Sequence, residues 1–268
     1  MLEARRIGVR LGSTPILHDL SFAARAGALT AIVGPNGSGK TTLLRALTGD
    51  VEHAGTVTLN GDDIARLKGW ELAARRAVLP QAAALAFPFT VIEVVRMGLV
   101  AGVSGGEPDV PARALAMVGL SRLAGRLYQE LSGGEQQRTQ LARVLCQVWQ
   151  PVLDGRPRWL LLDEPVASLD IAHQIAVMQI ARRFARAGGG VVAVMHDLNL
   201  TAMFADAVAV IRDGRILAAG PVRDALTDDV LTRAYGCPLS VNEVPPDGAT
   251  FVLPHGAAAE GRTARRTA

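Results

Sequence analysis

Three short apolar runs stand out along the chain: Ala28–Val33, Leu160–Leu162 and Val191–Met195, closed by Gly34, Asp163 and His196 in turn. Runs that are brief and lack polar alternation predict strands buried on both faces of a parallel sheet. From Leu2 to about Asn60 the pattern is strand-like, with apolar stretches broken by Gly, Pro and Asp. Within it, Gly34–Lys40 forms a glycine-rich break, and TTLLRALTG then reads as a helix that Gly49 caps. An Ala/Arg/Leu-rich region, predicted helical, runs from about Asp62 to Leu127, interrupted at Ala86–Thr90 and at Val103–Pro111. From about Leu131 helix and strand alternate again, the rhythm of an α/β fold with helices flanking a parallel sheet. After Cys237 the pattern thins, and Gly256–Ala268 reads as disordered.

Composition narrows the picture. The chain has 268 residues, enough for one large domain or a domain with a smaller lobe, and no internal repeat is visible. Hydrophobic residues make up 49%, yet no run approaches the roughly 18 apolar residues that span a bilayer, so the chain is not expected to cross a membrane by itself. The opening MLEARRIGVRLG lacks the apolar core of a signal peptide, and export is not expected. Cys146 and Cys237 lie far apart without metal-ligand spacing and are expected to be free thiols. A net charge of +3 is too small to imply a nucleic-acid partner. Only two of the basic residues are lysines, Lys40 and Lys68, and Lys40 lies in the glycine-rich break, where a compact ammonium has a particular use.

That break, Gly34-Pro35-Asn36-Gly37-Ser38-Gly39-Lys40-Thr41, fits the phosphate-binding pattern G-x-x-x-x-G-K-[ST] between an apolar strand and a helix. Glycines let backbone N–H groups turn toward phosphate oxygens, and the helix N-terminus adds its positive dipole end. Lys40 is expected to reach the β- and γ-phosphates of ATP, and the Thr41 hydroxyl to ligate Mg²⁺. A second apolar strand, Trp159–Leu162, ends in Asp163 and Glu164. Asp163 is the candidate Mg²⁺ ligand and Glu164 the candidate base that polarises water. Alone, two carboxylates at a strand end are a weak signal; beside a phosphate loop they are a strong one.

Leu131-Ser132-Gly133-Gly134-Glu135-Gln136 opens a further helix, and within a phosphate-loop protein it resembles the signature of ATP-binding-cassette (ABC) ATPases. Gln81 in Leu79-Pro80-Gln81 is similar to the Q-loop glutamine, Ser168-Leu169-Asp170 to the D-loop, and His196 to the switch histidine. The resemblance covers about residues 2 to 235. It implies a P-loop NTPase, with a RecA-like core of parallel sheet, an antiparallel β subdomain and an α-helical signature subdomain. On that plan residues 1–240 are the ATPase domain, a helical part is inserted at about 82–145, and 241–268 is a partly disordered tail. The resemblance further implies a head-to-tail homodimer. Gly34 to Thr42 bind one nucleotide, while Ser132, Gly133, Gly134, Gln136 and Asp170 face the nucleotide of the other protomer. Gln81 senses Mg²⁺ beside Thr41 and Asp163, and His196 acts with Glu164 in catalysis. One departure is Leu11-Gly12, which stands where the family carries an adenine-stacking aromatic.

The family also implies a seat at the cytoplasmic face of the inner membrane, on two permease subunits, with a periplasmic binding protein as an indirect partner. FPFTVIEVVRMG, from Phe87 to Gly98, resembles the lobe that receives a permease coupling helix in importers of haem, iron–siderophores and cobalamin. CQVWQPVLDGRPRWLLLDEP, from Cys146 to Pro165, resembles an extended segment of haem-import ATPases of Gram-negative bacteria. Haem is therefore the expected cargo, with a ferric siderophore or cobalamin as the alternative. A soluble cassette of DNA repair or translation fits less well, because only about ninety residues separate phosphate loop and signature and the chain carries one cassette. A P-loop kinase would have no use for the signature.

Overall fold

The computed structural model describes residues 1–81, 87–102, 107–245 and 248–256. Strands β1 (Leu2–Leu11) and β2 (Thr14–Ala24) form an antiparallel hairpin, and β4 (Ala54–Leu59) and β5 (Asp62–Asp63) extend it into a sheet ordered β2-β1-β4-β5. Strand β3 (Leu29–Val33) and helix α1 (Lys40–Thr48) lie between them in sequence. Gly49 ends α1 in the left-handed conformation, as a helix C-cap does. Helix α2 (Gly69–Arg75) leads directly into β6 (Arg76–Leu79). A helical layer follows: α3 (Val91–Ala101), α4 (Val110–Met117) and α5 (Gly133–Gln147). A small hairpin, β7 (Val152–Leu153) with β8 (Arg156–Pro157), precedes β9 (Trp159–Asp163). Then come α6 (Ile171–Arg186), β10 (Gly190–Val194), α7 (Leu198–Phe204), β11 (Ala207–Arg212), β12 (Arg215–Pro221), α8 (Val222–Ala225) and α9 (Asp228–Tyr235).

The main sheet is ordered β12-β11-β3-β10-β9-β6, parallel throughout except for the edge strand β12. The three apolar runs form its buried strands β3, β9 and β10, and their side chains alternate between two cores. Leu160, Leu162, Val191 and Ala193 join the core beneath the helices, whereas Trp159, Leu161, Val192 and Val194 join the one shared with α1 and the antiparallel sheet. Because the strands run parallel, β3, β6, β9 and β10 end on the same edge. Gly34, Gln81, Glu164 and His196 lie just beyond those ends, the edge where open α/β sheets place their ligands.

The region expected to be helical from Asp62 to Leu127 contains two strands, β5 and β6, and this corrects the sequence reading. Strand β6 is only four residues of Arg-Ala-Val-Leu, too short for a period to declare itself, and pairing with β9 makes it a strand. Part of the Ala86–Thr90 break and Val103–Gly106 lie outside the described residues, as does the tail beyond Gly256.

Helix α3 lies close on α5 because two positions carry no side chain. A Cβ on Gly98 would sit 2.1 Å from the Arg143 carbonyl oxygen, and one on Gly102 would sit 2.2 Å from that of Gln147. The segment ahead of β9 ties separate layers together. Asn60 donates to the Pro157 carbonyl at 2.8 Å and accepts from the Trp159 indole at 3.1 Å, while the Arg113 guanidinium lies 5.0 Å over the Trp149 ring. Buried Arg158, 2% exposed, has its guanidinium on the carbonyls of Ala74, Gln147 and Gln150 at 2.8, 2.9 and 3.4 Å.

Candidate functional site

The loop from Gly34 to Gly39 wraps around the start of α1. Gly34, Gly37 and Gly39 have φ of 151°, 75° and 104°, which turn successive N–H groups inward as no L-residue readily would. Gly34 has no room for a side chain, since a Cβ there would meet the Ile211 carbonyl oxygen of β11 at 2.0 Å. Lys40, 6% exposed, folds back into the loop and donates to the carbonyls of Gly34 and Pro35, both at 2.9 Å. Burial pulls its pKa below the usual lysine value, opposed by the nearby carboxylates of Glu164 and Asp163. Ser38 Oγ is buried and has no hydrogen-bond partner among the described residues. An orphaned hydroxyl and an ammonium resting on carbonyls, inside a ring of inward N–H groups, fit a phosphate chain.

Asp163, the last residue of β9, is 5% exposed and accepts from Thr41 Oγ1 at 3.2 Å. Burial raises its pKa, Thr41 opposes the rise and Glu164 adds to it. Two hard oxygen donors side by side at the phosphate loop suit Mg²⁺, which binds few protein ligands. Thr42, next on α1, is half-buried beside them.

Glu164 turns away from Asp163, with φ of 52°. Its carboxylate lies between two side chains from different strand ends. His196 Nε2 is 2.6 Å from Oε1, and Gln81 Nε2 donates to Oε2 at 3.1 Å. An ionised Glu164 fixes the imidazole proton on Nε2, which leaves the carboxylate as the acceptor able to take a proton from water. The structure thus brings Gln81, Glu164 and His196 into direct contact, across 115 residues of sequence (196 − 81).

The signature residues form a second cluster. Ser132 caps α5 in a capping box: its Oγ accepts from the Glu135 N–H at 3.4 Å, and Glu135 accepts from the Ser132 N–H and Oγ at 2.9 and 2.8 Å. Gly133 and Gly134 begin the helix, and a Cβ on Gly134 would press on Leu169 Cδ2 at 3.1 Å. Gln136 turns its amide backward to the carbonyls of Tyr128 and Leu131, both at 3.2 Å. Asp170 caps α6 by accepting from the His173 N–H at 2.9 Å. Among the described residues no hydrogen bond joins these side chains to the Lys40 loop of the same chain.

One residue escaped the sequence reading. Gln137 on α5 donates to the Glu164 carbonyl at 2.8 Å. Its spacing from Gly133 and Gly134, four and three residues, puts it on their face of the helix, a signal readable in advance. Leu11 is 50% exposed at the tip of the β1–β2 hairpin, an apolar surface without an aromatic ring.

An ABC transporter family model matches residues 17–167. The hemin import ATP-binding protein HmuV of Roseobacter denitrificans is 65% identical over 96% of this chain and 98% of its own length. Its namesake in Jannaschia sp. is 62% identical over 100% of both chains, and that of Rhizobium etli 56% identical over 96% and 98%. Among solved structures, an ATP-binding subunit of an ABC transporter superposes with a TM-score of 0.74 at 22% identity, over 84% of this chain and 91% of that one, a likeness of fold alone. A dimeric post-hydrolysis ATP-binding cassette bound to ADP and Pi superposes with a TM-score of 0.71 at 25% identity, over 83% and 99%.

Proposed function

The chain belongs to the ABC transporter family, and from that premise we propose that it is the ATP-hydrolysing subunit of a haem importer. The cargo rests on near full-length identity to hemin import ATP-binding proteins. The chemistry rests on the Gln81–Glu164–His196 contact at the mouth of a phosphate loop.

ATP is the substrate. The N–H groups of Gly34, Pro35's successor Asn36, and Gly37 to Thr42 hold its phosphates, and Lys40 exchanges two carbonyl partners for phosphate oxygens. Thr41 and Asp163, with Gln81 beside them, would hold Mg²⁺, which would supply neutralisation of the charge developing on the phosphate oxygens. Glu164 accepts the proton of the attacking water, and His196 orients the carboxylate. Support for these roles comes from the orphaned Ser38 hydroxyl, the Thr41–Asp163 pair and the two bonds on Glu164.

Two copies pair head to tail. Ser132, Gly133 and Gly134 then meet the nucleotide on the partner's phosphate loop and Asp170 lies at the same seam, whereas Gln136, expected to face that nucleotide too, has its amide turned back to Tyr128 and Leu131 and braces the turn from behind. The lack of any hydrogen bond, among the described residues, between the signature and its own Lys40 loop supports this, as does the dimeric state named for a related cassette. Among the described residues no helix is long and apolar enough to cross a membrane. The subunit works at the cytoplasmic face of the inner membrane, seated on two permease subunits, while a periplasmic binding protein delivers cargo from the other side. Phe87, 67% exposed and edge-on to Phe89, and helix α3 offer the permease an apolar seat. Residues 1–240 act as the ATPase domain, with the helical part at about 82–145 inserted and 241–268 as a tail.

Uptake into proteoliposomes holding this subunit, its permease and its binding protein tests the reading. Haem uptake driven by ATP and lost with Glu164→Gln is the expected result. Uptake of a ferric siderophore in place of haem would refute the cargo.

A further inference from the structure

Glu164 is held at its backbone as well as at its carboxylate. Its N–H donates to the Val194 carbonyl at 3.2 Å, and its own carbonyl accepts from the Ala167 N–H at 3.2 Å and from Gln137 Nε2 at 2.8 Å. The residue has φ of 52°, a strained conformation for an L-residue that persists only where surrounding contacts over-determine it. Two of those contacts come from the neighbouring strand β10 and from the turn that follows Glu164. The third comes from α5, an element of the helical layer.

Helix α5 begins at the capped Ser132 turn, and Gln137 follows five residues later, about 7.5 Å along the axis. Gly134 rests against Ser168 and Leu169, the latter just ahead of Asp170. A displacement of the signature turn is therefore carried by a stiff helix to the Gln137 amide, and by that amide to the Glu164 carbonyl. Rotating that peptide group swings the Glu164 side chain relative to His196 and Gln81.

We infer that Gln137 is a positioning residue through which the signature turn, seated on one nucleotide, sets the Glu164 carboxylate that acts on the other. The inference rests on the head-to-tail dimer proposed above. In that dimer each protomer's signature meets its partner's ATP, while its Glu164 serves its own. Gln137 then makes hydrolysis at one site depend on occupancy of the second.

The test uses the full chain with Gln137→Met, which keeps size and loses the donor, Gln137→Glu, which sets a carboxylate against the carbonyl, and Gln137→Lys, which restores a donor. Steady-state hydrolysis, binding of a fluorescent ATP analogue and ATP-driven dimerisation in the Glu164→Gln background are measured for each. Gln137→Met is expected to lower kcat roughly tenfold, the scale of one lost hydrogen bond to a carbonyl, with KM and dimerisation unchanged. Gln137→Glu should fall further, and Gln137→Lys should recover most of the loss. An unchanged kcat in Gln137→Met overturns the inference alone. So does a fall in kcat matched by weaker ATP binding and dimerisation without rescue by Gln137→Lys, the behaviour of a merely structural residue. A chain that stays monomeric at saturating ATP with Glu164→Gln alone overturns the dimer and this inference together.

Discussion

Two glycines of one loop, Gly34 and Gly37, should respond differently to the same added methyl group. At Gly37 a Cβ meets no atom within 4 Å, and only its φ of 75° resists alanine. That conformation costs an L-residue about 1–2 kcal/mol. For a chain of this length each kcal/mol lowers Tm by about 2–4 °C, so Gly37→Ala should lose only a few degrees. At Gly34 the methyl lands 2.0 Å from the Ile211 carbonyl oxygen, over 1 Å inside ordinary contact. Ile211 is bonded into the sheet through β11 and β12, so the phosphate loop must move instead. Overpacking of that kind adds about 1–3 kcal/mol, and Gly34→Ala should lose roughly twice as much stability or more. Thermal denaturation with and without Mg·ATP separates the two effects. At about 100 times Kd a ligand adds about 2.7 kcal/mol, and Gly37→Ala should keep most of that rise while Gly34→Ala loses it. Equal losses in the two variants would refute the claim that space at Ile211, rather than backbone freedom alone, dictates glycine at position 34.

Asp163→Asn should make the metal-free protein more stable at pH 7.5 while abolishing hydrolysis. Burial raises the folded-state pKa of Asp163, so its stabilising contribution is complete below the unfolded value near 3.8 and lost as pH rises through the folded value. The advantage of the asparagine should therefore shrink as pH falls toward 4; a Tm difference that grows instead would contradict it. Thiol titration should find one reactive cysteine in the native chain and two after denaturation. Cys237 is exposed, whereas Cys146 is buried with its pKa pushed up to about 12. Reaction of both thiols in native buffer would show that α5 opens readily.

The edge that carries the candidate site was legible because each part is written contiguously. A strand, a glycine loop and a helix follow one another from Ala28 to Thr48, and the buried strands β9 and β10 announce themselves by unbroken apolar character. Less legible were features set by partners distant in sequence. Strand β6 has no periodic signal of its own and exists through β9. Gln136 and Gln137 are chemically identical, and only the helix phase tells that one turns to Tyr128 and Leu131 while the other reaches Glu164. The capping box Thr90–Glu93 that opens α3 was written plainly in the sequence, yet its first residue, Thr90, fell at the end of a stretch read as an interruption.

The buried guanidinium of Arg158 gives α5 unequal ends. It grips the carbonyls of Gln147 and Gln150, and the Gln147 amide adds bonds to the carbonyls of Ala73 and Arg76 at 3.0 and 2.9 Å. The far end carries glycines and the exposed Ser132 cap. A helix held more firmly at one end would tilt as a lever with its fulcrum at Arg158. Fifteen residues make an arm of about 22 Å, so a tilt of about 5° at the fulcrum carries Ser132 through about 2 Å. A motion too small to disturb the packing around β6 and β9 is thus magnified, at the tip, to the scale on which a hydrogen bond to a phosphate is made or broken.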